Sequence, residues 1–308
     1  MPILVDMLDS DLQKKQLDMM LSKNVRYFKH FDEIISKVTE LPSRQSFLAY
    51  LMDLTSDVST LNTDLISEIG DHETLAKLIV EKARVSARLP QARVSAAQLK
   101  LAIQKLGYGL VYNEVQDSLA KEYAKIYFTT VKEDLRDVLK KSIKLAYMTK
   151  ELGKILNIRN STITFFAGLH HHLGEVVLIL KEPKLFADIK ALRQRGIDTK
   201  TAELAVLGAE LNELAKLILK KWEFSEEMIN LISKNNNPES NQIAILVRFA
   251  DFVLRSIEDK NSSPEAMRGM AEDFIFALGS SMEVDKWIEE MKLAYIRFIE
   301  TEYRIFKR

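Results

Sequence analysis

Three consecutive histidines, His170 to His172, carry the side chains of this chain that are best suited to bind a metal ion. Neutral imidazole is a common ligand of zinc and nickel. Consecutive residues on an α-helix point about 100 degrees apart, so the three side chains cannot all face one ion. We expect one imidazole to pack inward, one to lie at the surface and one to fill a candidate site. A retained zinc or nickel contact is the alternative.

A second chemically suggestive group is basic, and its side chains can hold a phosphate or an acidic partner. It comprises Lys82, Arg84, Arg88, Arg93, Lys100 and Lys105. The alternative is a solvated face, which charge runs usually form, balanced by Glu81 and the acidic residues between 68 and 73. The run has no aromatic residues on which single-stranded nucleic acid would stack.

The composition excludes several function classes. The 308 residues include no cysteine, which rules out disulfides, thiolate zinc sites and a cysteine nucleophile, and which fits a reducing compartment. Lys+Arg and Asp+Glu both number 44, so the net charge is zero and gives no strong signal for nucleic-acid binding. The sequence contains no glycine-rich phosphate loop, dinucleotide-binding fingerprint or nucleophile-elbow motif.

We expect a cytoplasmic protein without a membrane span. Residues 1–10 include Asp6 and Asp9 and lack the basic region and apolar core of a secretory signal. The longest apolar run, from Phe165 to Leu180, is interrupted by the three histidines and Glu175. It falls short of the roughly 20 apolar residues that span a bilayer.

The elements that position these groups are predicted to be helices, because apolar residues recur with a spacing of about 3.6 residues. The chain has only 10 Gly and 6 Pro, and no apolar alternation predicts a long strand. The fold class is therefore predicted to be all-α. Predicted helices in the main body cover residues 43–54, 63–69, 73–87, 95–106, 108–127, 131–156, 161–180, 184–193, 201–222, 225–234, 239–258, 264–278 and 284 onward.

The organisation is predicted to be an amino-terminal helical extension, residues 1–40, followed by a main domain, residues 41–308. Amphipathic helices over Asp6–Leu21 and Tyr27–Val38 form the extension. The main domain divides into halves at residues 41–130 and 131–308, with no Gly/Ser-rich linker between them, so the halves are expected to pack together. A stripe on the last helix predicts packing or a homodimer contact; it comprises Trp287, Met291, Tyr295, Phe298 and Ile299.

A series of phrases between residues 41 and 260 carries a family resemblance through its order and spacing. The phrases are Leu41-Pro42, ISEIGDHETLAKL at 66–78, VSAAQLKLAIQKLG at 94–107, SIKLAYMTKELGKIL at 142–156, FAGLHHHLGEVVL at 166–178, WEFSEEMI at 222–229 and ILVRFAD at 245–251. Together they resemble the HDOD family of bacterial signalling proteins, which are related to HD-type metal phosphohydrolases. The resemblance implies a multi-helical HDOD/HD-like bundle, a bacterial source and a role in signal transduction, mostly without demonstrated catalysis.

The resemblance also implies where a metal site would lie. HD phosphohydrolases use His and Asp ligands to hold divalent ions, which activate a bound water. The adjacent His-Asp pair falls at His171-His172, an earlier His falls at Lys141, and the closing Asp is retained as Asp251. Further ligand positions fall at Gly208, Asn235 and Asn236. The implied site is degenerate: it has no catalytic residue and no cofactor, and only His171, His172 and Asp251 remain as candidate metal ligands.

Asp251 lies between Ala250 and Phe252 on an apolar predicted helix, where a buried carboxylate needs a partner. If the two positions converge as the resemblance suggests, Lys141 is that partner. A Lys141–Asp251 ion pair is then expected to replace the metal as a structural link.

Three functions remain open at this point. The first is a non-catalytic signal-transduction scaffold that binds protein partners, in a cyclic-dinucleotide, motility or stress pathway. The second is a residual metal-dependent phosphohydrolase acting on nucleotides. The third is a sensor of nucleotides or other small molecules without catalysis, using the former active-site cavity or the basic run.

Overall fold

A computed structural model describes Ile34 and most of the chain from residue 62 to residue 306. The described ranges are 62–71, 73–87, 94–156, 161–222, 242–258, 264–277 and 283–306, with positions 224, 226, 229 and 230. Within these ranges every regular element is a helix, which confirms the all-α fold class.

The helices are numbered here in chain order. They are α1 (Asn62–Asp71), α2 (Glu73–Ala87), α3 (Ala96–Leu106), α4 (Tyr108–Thr129), α5 (Glu133–Ile155), α6 (Ser161–His170), α7 (Leu173–Lys181), α8 (Pro183–Gln194), α9 (Thr199–Leu207), α10 (Leu211–Lys221), α11 (Gln242–Glu258), α12 (Pro264–Ala277) and α13 (Val284–Phe306).

The described residues form two compact units. The larger unit contains residues 62–171 and those from 219 onward, and the smaller unit contains Ile34 and residues 172–218. Helices α4 and α5 lie on either side of the predicted boundary at residue 130, and they pack against each other within the larger unit. The division into residues 41–130 and 131–308 stays a prediction.

Helix α5 is the centre of the larger unit. It packs against α4, α6, α11 and α13. Its apolar stripe is buried, including Leu135, Leu139, Ile143 and Leu152. Acidic residues occupy its first turn and Lys154 its last turn, an arrangement that complements the helix dipole. This long, strongly periodic segment therefore forms the central helix against which the neighbouring helices pack.

Helices α1, α2 and α3 pack against one another, and α2 and α3 also contact α4. The limits of α3 follow from its caps. The side chain of Ser95 accepts a hydrogen bond from the Gln98 amide at 3.3 Å, and Gly107 ends the helix with a φ of 76°. The predicted end of this helix at residue 106 is confirmed.

The smaller unit contains α7, α8 and α9 in sequential contact. Asp198 caps α9 by accepting a hydrogen bond from the Thr201 amide at 3.0 Å. Gly208 follows α9 with a φ of 71°, in the left-handed region that glycine adopts at low cost. The predicted continuous helix over residues 201–222 is therefore wrong, because the chain turns at Gly208 before α10 begins.

Two other element predictions need correction or restriction. The predicted helix over residues 161–180 is two helices, α6 and α7, with a turn at His171 and His172. The predicted amino-terminal helices lie outside the described residues except at Ile34, which is helical and buried. The predicted helices over residues 43–54 and, for the most part, 225–234 also lie outside them.

The stripe on α13 is partly confirmed. Trp287, Met291 and Phe298 are buried, whereas Ile299 is 45% exposed. Ile299 therefore belongs to a different side of this helix.

One segment of the described chain, Ile163–Lys181, is apolar and long enough to span a bilayer by length and composition alone. It is 78% buried within the protein. Packing against other helices thus accounts for its apolar residues without a membrane, and the segment is weak evidence for a span.

Candidate functional site

The histidine tract lies where one helix ends and the next begins. Helix α6 ends at His170, the chain turns through His171 and His172, and α7 begins at Leu173. The His171 amide donates a long 3.4 Å hydrogen bond to the Gly168 carbonyl, which is an i to i−3 contact of a tightened last turn. His170 is buried and both His171 and His172 are half-buried, so one imidazole packs inward as expected, but none is the surface residue that was expected, and the helix does not continue through the tract.

His170 is the inward-facing member of the tract, with only 3% of its surface exposed. Its Nδ1 lies 3.1 Å from the Phe166 carbonyl oxygen, which can only accept, so Nδ1 carries the proton. The Tyr123 hydroxyl then donates to Nε2 across 3.4 Å. Burial lowers the pKa of His170 to about 4, against a small opposing effect of the Phe166 hydrogen bond. His170 is a neutral core histidine with both nitrogens engaged.

His171 is partly buried and belongs to the larger unit, at the end of α6. The helices that carry or adjoin Lys141, His171 and Asp251 are α5, α6 and α11, and these three helices pack on one another. The structure thus brings together the helices on which the resemblance placed those three positions.

The predicted Lys141–Asp251 ion pair is wrong. Asp251 Oδ2 lies 2.5 Å from Nη2 of Arg255, one turn later on the same helix, and its side chain is 21% exposed. Lys141 is exposed on α5. Asp251 is therefore not the deeply buried acid that the apolar flanking residues predicted, and a four-residue spacing on one helix supplies its cation.

His172 lies beside a chain of ion pairs that the sequence did not predict. Its Nδ1 lies 4.0 Å from Glu175 Oε2, and Glu175 Oε1 lies 3.1 Å from Nη1 of Arg193. Nη2 of the same guanidinium donates to Glu203 at 2.7 Å. Glu203 is 2% exposed, and its other oxygen accepts the amide of Leu211 at 2.9 Å. The sequence contained one indication of this chain of contacts, because Glu203 is an acidic residue within the apolar run of α9.

The remaining predicted metal-site positions contribute no ligand atoms to the described structure. Gly208 has no side chain and ends α9. Asn235 and Asn236 lie outside the described residues. No three His, Asp or Glu side chains within the described ranges come close enough to hold one ion.

The basic run proves to be several separate environments. Lys82 forms an ion pair with Glu114, which is buried on α4, and Arg84 pairs with Glu81. Lys100 and Lys105 are exposed on α3. Arg88 and Arg93 lie outside the described residues. Glu81 balances Arg84 as the solvated-face alternative expected, but Arg84 is only 16% exposed, and Lys82 pairs with Glu114 rather than with the acidic residues of that alternative.

A group of polar side chains, three of them buried and Asn113 half-buried, joins α4 to α5 and was not predicted from the sequence. The Tyr147 hydroxyl donates to Asp117 Oδ1 at 2.7 Å. Lys150 is 5% exposed, and its Nζ donates to Asn113 Oδ1 at 2.7 Å. We call Asn113, Asp117, Tyr147 and Lys150 the polar seam. In the sequence these residues have the spacing of polar residues on the exposed side of an amphipathic helix. The pattern therefore did not indicate that they lie between two helices.

Comparison with known proteins assigns the chain to a family. The family profile described as the HDOD domain matches residues 41–238, which is more than half of the chain. The chain belongs to the HDOD-domain family. No curated protein is similar enough to count as a match.

Solved structures support the same HDOD fold. An HDOD domain protein from Geobacter sulfurreducens has a TM-score of 0.66 at 19% identity, over 92% of this chain and 99% of its own. A candidate phosphohydrolase from Shewanella amazonensis has a TM-score of 0.62 at 17% identity, over 92% and 98%. A candidate signal transduction protein from Marinobacter aquaeolei has a TM-score of 0.60 at 17% identity, over 95% and 64%. At these identities the similarity establishes the fold alone.

At the described positions where the resemblance implies metal ligands, the side chains present do not fit a dinuclear metal centre. Lys141 offers an ammonium group with no lone pair for a cation. The Asp251 carboxylate is held by Arg255, so a metal would have to displace a guanidinium from it. These side chains therefore do not support activation of a water by a metal at this position.

Proposed function

We propose that this HDOD protein is a non-catalytic signal-transduction scaffold that binds protein partners through its helical surfaces. The observation that carries the proposal is the ion pair between Asp251 and Arg255. It engages the retained acid of the HD-type set in a contact within α11, while Lys141 and Gly208 stand where ligands are expected. The chain keeps the helical framework, but Lys141 and Gly208 cannot supply the metal ligands that HD-type chemistry requires. We further propose that it acts in the cytoplasm of a bacterium.

The exposed side of α13 supports a protein partner. Leu293, Ile296 and Ile299 are 44%, 54% and 45% exposed, and they follow one another at intervals of three residues. The buried residues of this helix lie on the opposite side. Neighbouring apolar side chains that face solvent favour contact with another protein surface.

Partner capture tests the scaffold with a matched pair of variants. Tag-free protein coupled to a resin is incubated with lysate of the native host. A specific partner is expected to be retained by the wild type and by Lys105→Met, and lost with Ile296→Glu. Both variants change the net charge by the same amount, but only the second places a charge on the apolar side of α13. Failure of any protein to show this pattern counts against binding through this surface.

The alternative, a residual metal-dependent phosphohydrolase, is favoured by the retention of Asp251 on α11 and of His171 in the turn that follows α6, since α6 and α11 pack against each other. Elemental analysis of protein purified without a metal resin separates the two functions. We expect well under one equivalent of zinc, manganese, iron or nickel per chain, unchanged in Asp251→Ala. One equivalent that disappears in Asp251→Ala, or appears in Arg255→Ala, would support the hydrolase instead.

A further inference from the structure

A cavity of about 870 Å³ opens between α1, the first turns of α2 and the beginning of α3. Pockets that bind small molecules usually measure about 300 to 1,000 Å³. It is lined by Ile66, Ser67, Gly70, Asp71, Glu73, Ala76, Lys77, Val94, Ser95, Ala96, Ala97, Leu99 and Lys100. All of these residues belong to the larger unit, and the cavity includes neither His171 nor Asp251.

Small residues make the space, and apolar residues line its base. Leu99 and Ala76 are almost completely buried, and Gly70 leaves the wall of α1 without a side chain. A Cβ added at Gly70 would have only one neighbour within 4 Å, the Cδ2 atom of Leu99 at 3.8 Å. The base of the cavity therefore offers an apolar contact surface.

The charged residues of the lining are not all balanced by one another. Glu73 and Lys77 form an ion pair of 2.5 Å within α2. Asp71 and Lys100, by contrast, have no ion-pair partner among the residues that the structure describes. The lining thus presents one free carboxylate and one free ammonium group beside an apolar base.

We propose that this cavity is a binding site for a small organic anion whose apolar body carries a hydrogen-bond donor. The anionic group would be bound by Lys100, the donor by Asp71, and the apolar body would lie against Leu99 and Ala76. Charge-assisted hydrogen bonds of this kind are stronger than neutral ones. The proposal goes beyond the scaffold function and does not depend on it.

Purine nucleoside monophosphates are suitable probes, because each carries a phosphate, a planar base and an exocyclic or ring N–H donor. Isothermal titration of the full chain with AMP and with GMP is expected to show saturable binding of at least one of them. Inorganic phosphate alone, which lacks the apolar body and the donor, is expected to bind much more weakly. A site that recognises only charge would bind phosphate and the nucleotide equally, and that result would overturn the proposal.

Variants locate the binding in this cavity. Lys100→Met and Asp71→Asn are each expected to raise the dissociation constant about tenfold, since a hydrogen bond to a charged group contributes about 1.5 kcal/mol or more. Lys105→Met removes a neighbouring exposed charge of α3 that does not line the cavity, and should leave the constant unchanged. Gly70→Phe should abolish binding by filling the space, whereas Gly70→Ala should retain it.

Circular dichroism and melting temperature establish that each variant is folded before its affinity is interpreted. The proposal fails if neither nucleotide binds the wild type. It also fails if binding persists at wild-type affinity in both Lys100→Met and Gly70→Phe.

Discussion

The imidazole of His170 stacks on the ring of Phe166, one turn earlier in α6, with the ring centroids 3.8 Å apart. Phe224 approaches the same imidazole with a centroid distance of 6.1 Å, and Tyr123 meets it edge to face at the same distance. An aromatic enclosure of this kind has little capacity to solvate a positive charge. Protonation of His170 is therefore opposed by the fold.

The stability of the protein should fall in mild acid because of His170. Its pKa is about 4 in the folded protein, below the ordinary value of 6.5. The unfolded chain binds a proton first as the pH falls, so stability is complete above about pH 6.5 and is lost progressively down to about pH 4. The shift corresponds to about 3 kcal/mol in the free energy of unfolding. Urea denaturation at intervals between pH 4 and pH 7.5 measures it.

The matched variant for this prediction is His170→Phe, which keeps an aromatic ring without a titrating nitrogen. It should flatten the dependence of unfolding free energy on pH between about 4 and 6.5. An equal pH dependence in His170→Phe and the wild type would assign the acid sensitivity to other groups.

A close backbone contact predicts a strong effect at Gly168. A Cβ atom added there would lie 2.7 Å from the Ala146 Cα and 2.7 Å from the Leu145 carbonyl oxygen. Because these are backbone atoms of α5, the two helices would have to separate. Gly168→Ala should lower the free energy of unfolding by about 1 to 3 kcal/mol.

Gly70→Ala is the control for that substitution, since both changes place an alanine in a helix. At Gly70 the new Cβ atom has ordinary contact distances, so the better helix propensity of alanine should raise stability by up to about 1 kcal/mol. Equal effects of the two substitutions in urea denaturation would contradict the tight packing of α6 on α5.

The elements that the sequence predicted well carry explicit end signals. Helix α3 begins after Ser95 and ends at Gly107, and α13 begins at Val284, as predicted. The two breaks that were missed, at His171 and at Gly208, have apolar periodicity running through them. A periodic pattern records which side of a segment is buried, and it does not record where the chain changes its packing partners.

The sequence predicted which helices carry or adjoin the candidate site, but it did not predict the contacts that the site residues make. The resemblance placed Lys141, His171 and Asp251 on helices that do pack together. Arg255 lies four residues after Asp251, a spacing that allows an ion pair on one helix. The apolar residues around Asp251 indicated a buried acid instead, and that prediction was wrong. Contacts between distant segments, such as Arg193 with Glu203, depend on helix placement that local spacing does not specify.

Removal of Arg193 should destabilise the protein substantially. The guanidinium contacts Glu203, whose carboxyl group is nearly inaccessible to water and would lose the cation that it contacts. Arg193→Met should lower the free energy of unfolding by about 2 to 4 kcal/mol. Lys200→Met breaks the pair between the exposed Lys200 and Glu210, and it should lower the stability much less than Arg193→Met.

A double substitution tests the cause of that loss. Arg193→Met combined with Glu203→Gln removes the stranded charge and should recover part of the lost stability, in spite of the missing ion pair. A double variant whose loss of stability equals the sum of the two single losses would show that the two side chains do not interact.

The polar seam should make a measurable contribution to the joining of α4 and α5. Tyr147 is 3% exposed and Asp117 is 6% exposed, so the hydroxyl bound to the carboxylate is not readily replaced by water. Tyr147→Phe should lower the free energy of unfolding by about 1 to 3 kcal/mol. Tyr108→Phe, at a position that is 40% exposed, should change it by less than about 0.5 kcal/mol. A double-substitution cycle with Asp117→Asn should give a coupling energy of about 1 kcal/mol between Tyr147 and Asp117. A coupling near zero would mean that the Tyr147–Asp117 hydrogen bond does not help to hold these two helices together.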